Sequence, residues 1–95
     1  MSELDNYRIK INEIDNQLIN LLIDRMKICK KVGEIKKLND IKILDSNRES
    51  EVINKVISIK NKKLLSEDTD ILDDNVVKNL WNIIMSHSKN IQINL

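Results

Sequence analysis

From Leu4 to Leu38 the chain keeps one helical stripe of apolar residues, with no proline to break it. The stripe runs Leu4, Tyr7, Ile11, Ile14, Leu18, Leu21 and Leu22, then Ile28, Cys29, Val32, Ile35 and Leu38. Three-and-four spacing places these side chains on one face of an α-helix. Gly33 is the only weak point, and a lone glycine inside a helix costs up to about 1 kcal/mol against alanine. The pattern predicts a helix of about 35 residues, which at about 1.5 Å per residue spans about 52 Å. A compact domain of this chain length has a radius of gyration near roughly 12 Å, or about 32 Å across. The helix therefore overshoots its own globule, and its apolar stripe runs on into the overshoot. A second copy of the chain, related by two-fold symmetry, is the simplest cover. The competing reading is a bend at Gly33 that folds the helix back.

Two shorter helices follow. The stretch Asn39-Asp40-Ile41-Lys42-Ile43-Leu44 loses the period and reads as a loop. Either Asp45 or Ser46 can cap a second helix, and Ser46 has capping-box spacing to Glu49. That helix carries Val52, Ile53, Val56 and Ile57 and fades near Lys62. Leu65-Ser66-Glu67-Asp68-Thr69-Asp70 is a polar connection. Asp73 or Asp74 opens a third helix with Val76, Val77, Leu80, Trp81, Ile83 and Ile84, ending near Gln92. The expected fold class is all-α: one domain over residues 1–95, three helices with a long first one, in an intertwined helical homodimer.

Composition supports the oligomer and removes other classes. Aromatics are only 2% of the 95 residues, with no Phe and one Trp, so the core is aliphatic. A chain this small buries a modest fraction of its surface alone. A formal net charge of +1 argues against a general nucleic-acid binder, which carries a basic excess. The acidic, polar N-terminus does not read as a signal peptide, and no apolar run reaches membrane-spanning length. The single Cys29 cannot form an intrachain disulfide, which fits a reduced, cytoplasmic setting. Cys29 reads as a core residue and His87 as a surface one.

Several polar residues interrupt the apolar faces. Arg25 takes a stripe position between Leu21/Leu22 and Ile28/Cys29. Lys36 lies about three turns further along the same face, roughly 16 Å away in rise. Cations on a half-buried face need a partner, either a carboxylate of the chain or a bound anion. Arg8 is about 25 Å from Arg25 along the axis, too far for one small ligand within a straight helix. In an antiparallel dimer Arg8 of one chain can lie beside Arg25 of the other. Asp45, Arg48 and Glu49 share a face at the start of the second helix, and Ser88 and Gln92 do so on the third. Taken singly, each has a bland alternative as solvated surface or, for Asp45, as a cap.

Together, Arg8, Arg25, Val32-Gly33-x-x-Lys36, Asp45-x-x-Arg48-Glu49 and Ser88-x-x-x-Gln92 resemble the all-helical chorismate mutases, the AroQ class. The stretch Ile14-Asp15-Asn16-Gln17-Leu18-Ile19-Asn20-Leu21-Leu22 is similar to the family's first-helix signature. The resemblance covers nearly the whole chain. It implies a dimer sharing the long first helices, and conversion of chorismate to prephenate on the route to Phe and Tyr, without metal or cofactor. It further implies that Arg25 and the partner's Arg8 bind carboxylate, and that Lys36 and Gln92 donate to the ether oxygen. Glu49 would accept from the ring hydroxyl. Arg48 and Ser88 would help hold a carboxylate, and Asp45 would fix the start of the second helix. A complex with another aromatic-pathway enzyme is a further implied partner. Three features depart from the family pattern. The loop before Asp45 lacks Gly and Pro, Ser46 stands where Pro is common, and the connection between the second and third helices is several residues longer. Isochorismate-pyruvate lyases share the two first-helix arginines and the lysine, but the Asp45-x-x-Arg48-Glu49 set favours the mutase. A non-catalytic helical docking module is the remaining alternative.

Overall fold

The computed structural model describes residues 2–95 and contains three α-helices among them: α1 (Glu3–Leu38), α2 (Ser46–Lys63) and α3 (Asp74–Ile93). A short 3-10 turn at Ser66–Asp68 lies between α2 and α3. The helix ends have local causes. Ser2 caps α1 by accepting from the Asp5 N–H at 3.1 Å. Acidic Glu3 and Asp5 in the first turn and basic Lys36 and Lys37 in the last complement the helix dipole. α1 stops where Asp40 enters the left-handed region at φ 54°. There the Ile41 N–H bonds back to the Lys36 carbonyl at 2.8 Å, the long-range bond of a Schellman-type stop. An aspartate thus takes the position usually given to glycine.

The α2 cap resolves the choice between Asp45 and Ser46. Asp45 Oδ1 accepts from the Arg48 N–H at 3.0 Å, and Ser46 is the first helical residue. The Ser46–Glu49 capping box therefore does not form. Asp73 caps α3 in the same way, accepting from the Val76 N–H at 2.9 Å.

α3 is the element that joins the other two. It packs on α1 along one side and on α2 along the other, and α1 and α2 do not pack on each other. Lys60, near the end of α2, pairs with Asp74 at the start of α3. This pairing bridges the two ends of the connection between α2 and α3. The core is correspondingly small: Val77, Ile84 and Met85 are its buried apolar side chains.

α1 is continuous across Gly33, so the bent-helix alternative is not taken. The structure measures 56 × 30 × 16 Å with a radius of gyration of 16.8 Å, well above the roughly 12 Å of a compact chain this long. The excess is α1, whose residues from Glu3 through Leu21 are all exposed. No helix among the described residues is long and apolar enough to cross a membrane.

Candidate active site

Because α3 holds α1 and α2 apart, a cleft opens between them with α3 as its floor. Its cavity is about 330 Å³, and it is lined by Arg25, Lys36, Asp45, Arg48, Glu49, Ser88 and Gln92 together with Lys89. The apolar part of the wall comes from Ile28, Cys29, Val32, Ile43, Val52 and Met85. Every residue singled out from the sequence as a site candidate is therefore gathered here except Arg8. Arg8 projects from the exposed part of α1 and lies 3.8 Å from Asp5.

The cleft is graded from a buried floor to an open rim. Ser88 and Gln92 are buried, Arg25, Lys36, Glu49 and Lys89 are half-buried, and Asp45 and Arg48 are exposed. Arg48 at the rim is 3.7 Å from Glu51. Four cationic side chains face two carboxylates around the cavity, so the cleft has a positive excess suited to an anion.

Each α1–α3 contact fixes one polar group. Arg25 Nη1 donates to Ser88 Oγ at 3.2 Å, and the Ser88 hydroxyl lies 2.9 Å from the Ile84 carbonyl one turn earlier. A guanidinium has five N–H donors, so Arg25 retains capacity for a ligand. Gln92 Nε2 donates to the Cys29 carbonyl at 3.0 Å. The second N–H of that amide is free to serve the cleft. Gln92 reaches this carbonyl because Gly33 has no side chain: a Cβ there would lie 2.6 Å from Gln92 Cγ. Gly33 is accordingly the one buried residue of α1.

The loop between α1 and α2 is held from inside the cleft. Lys36 Nζ donates to the Ile43 carbonyl at 3.0 Å, which ties down a segment that has neither Gly nor Pro. Two ammonium protons of Lys36 remain for a ligand. On the α2 side, Glu49 is gripped by Lys89, whose Nζ lies 3.0 and 3.3 Å from its two carboxylate oxygens.

Two features of the site were not foreseen from the sequence. Lys89 was hidden among many lysines, although Met85, Ser88, Lys89 and Gln92 stand at i, i+3, i+4 and i+7, one face of a helix. Cys29, expected in the core, is half-buried and lines the cleft, because the Arg25 side chain and the cavity occupy the space that packing would have filled. His87 is exposed, as expected.

Comparison with known proteins agrees in extent. Residues 7–93 match the model of the family described as chorismate mutase type II. The chain is 32% identical over 92 residues to a chorismate mutase of Methanocaldococcus jannaschii, a match covering 97% of this chain and 86% of that protein. It is 36% identical over 59 residues to a bifunctional chorismate mutase/prephenate dehydratase of Aquifex aeolicus, covering 62% of this chain and 16% of that one.

Proposed function

The chain belongs to the chorismate mutase type II family, and from that membership we propose how it isomerises chorismate to prephenate. The substrate is a dicarboxylate with an ether oxygen and a ring hydroxyl. The reaction is a unimolecular Claisen rearrangement: the ether C–O bond breaks as a new C–C bond forms, and no proton changes hands. Two tasks remain for the protein. One is to hold the enolpyruvyl arm folded over the ring in the reactive conformer. The other is to present fixed donors where negative charge grows on the ether oxygen.

The observation that carries this reading is the cleft itself. Residues from three helices converge on one cavity with a positive excess that complements a dianion. Arg25 and Arg48 take carboxylate through charge-assisted hydrogen bonds, with Ser88 orienting Arg25. Lys36 and Gln92 are the donors to the ether oxygen. Each is already anchored to a backbone carbonyl, at Ile43 and Cys29, so little reorganisation accompanies the reaction. Glu49 accepts from the ring hydroxyl, and Asp45 fixes the start of α2 on which Arg48 and Glu49 ride.

The working form is an intertwined, cytoplasmic homodimer. Leu4, Tyr7, Ile11, Ile14, Leu18 and Leu21 are each more than half exposed on α1. Fully burying one such side chain contributes about 1.5–3 kcal/mol, so covering the exposed part of all six contributes on the order of 5 kcal/mol or more. In the dimer Arg8 crosses to the partner's cleft and adds a cation to its carboxylate site.

The test is incubation of the purified protein with chorismate and, separately, isochorismate. Loss of chorismate with formation of prephenate is expected. Release of pyruvate and salicylate from isochorismate, with chorismate untouched, would replace this reading by the lyase.

A further inference from the structure

Among the described residues Glu49 and Lys89 form the one cross-helix ion pair inside the cleft, linking the first turn of α2 to the floor helix α3. Both oxygens of Glu49 face the same ammonium, at 3.0 and 3.3 Å, and the two side chains are only 29% and 34% exposed. Glu49 has no other side-chain hydrogen bond among the described residues. Its neighbours in the cleft include Lys36 and Arg48, either of which would attract a free carboxylate. A glutamate left loose in a pocket meant for a dianion does harm in two ways. It repels the substrate's carboxylates, and it competes with them for the cations that should bind them.

We propose that Lys89 is a positioning residue for Glu49: it holds the Glu49 carboxylate against α3, away from Lys36 and Arg48, and offsets its charge. Glu49 is thereby aimed at the ring hydroxyl and kept from occupying the carboxylate site. The proposal rests on the reading of the cleft as a chorismate site. Lys89 touches no reacting atom in this scheme and acts through Glu49 alone.

The test is a double-mutant cycle of Lys89→Met and Glu49→Gln in the dimer, read by steady-state chorismate turnover. Methionine keeps an unbranched stem of similar length and removes the charge. Losing a hydrogen bond to a charged group predicts a fall in kcat/KM of about ten- to hundredfold for Lys89→Met, carried largely by KM. In the Glu49→Gln background, where there is no carboxylate to hold, Lys89→Met should cost less than about threefold. Lys89→Arg should restore most of the lost KM. Equal losses in the two backgrounds would overturn the proposal, since Lys89 would then act without Glu49. Unchanged kinetics for Lys89→Met alone would overturn it too. Native protein without chorismate turnover would instead overturn the functional reading, and the role of Lys89 with it. Thermal melts of each variant separate these outcomes from loss of fold.

Discussion

Replacing Gly33 by alanine should disable the protein while leaving it folded. The added Cβ would lie 2.6 Å from Gln92 Cγ, 2.8 Å from Leu95 Cδ1 and 3.0 Å from Gln92 Cβ. Carbon atoms rest at about 3.5–4.0 Å, so the clash must be relieved by about 1 Å. Leu95 offers the tip of a flexible side chain and can swing aside. Gln92 offers the root of its side chain, so relief there shifts α3 or rotates the whole residue. Its amide then loses its alignment with the Cys29 carbonyl and with the cleft. The two consequences differ greatly in size. Overpacking costs about 1–3 kcal/mol, but alanine in a helix regains about 1 kcal/mol over glycine, leaving a net loss of roughly 0–2 kcal/mol. A misplacement of about 1 Å at the reacting centre costs about 10²-fold in rate, close to the loss of an oxyanion donor outright. Gly33→Ala should therefore keep its helical circular dichroism and melt no more than about 16 °C below the native protein, with kcat for chorismate reduced about a hundredfold. Turnover within about threefold of native would refute the idea that Gly33 exists to seat Gln92.

Two further perturbations separate chemistry from stability. Lys36→Ala should retain helical content but lose at least about 10²-fold in kcat, measured by chorismate disappearance; unchanged turnover would remove Lys36 from the site. Asp40→Gly relieves the left-handed backbone at φ 54° and should raise stability by about 0.5–1 kcal/mol in denaturant melts, with turnover unaffected.

The parts of the fold that were legible in the sequence are those set by local periodicity and by caps. The stripe from Leu4 to Leu38 bounds α1, and the pairs Asp45/Ser46 and Asp73/Asp74 mark the starts of α2 and α3 to within one residue, because a side-chain oxygen accepting a nearby N–H is a local event. What was not legible depends on distance. Gly33 looked like a tolerated flaw in α1. Its meaning lies in Gln92, far along the chain and brought close only by packing. Lys89 looked like one more lysine in a chain that is 33% charged. Its partner Glu49 is on another helix. The end of α1 after Leu38 was legible as the loss of period, but the left-handed backbone of Asp40 that makes the stop was not, since aspartate enters that region only occasionally. The candidate site was legible as a set of residue types and spacings. Its internal bonds, Arg25 to Ser88, Lys36 to Ile43 and Gln92 to Cys29, required the three-dimensional arrangement.

The length of α1 and the solitary position of Arg8 meet in one claim, that two chains together build each active site. In a single chain Arg8 sits near Asp5, outside the cleft that contains Arg25. The most direct test is to purify Arg8→Ala and Arg25→Ala proteins, show each to be inactive, and then mix them under conditions that exchange chains. A mixed dimer holds one site with both arginines intact and one with neither. With random exchange, about half the dimers are mixed, so activity should return to about one quarter of native. A mixture that stays inactive after chain exchange has been demonstrated would contradict the shared site.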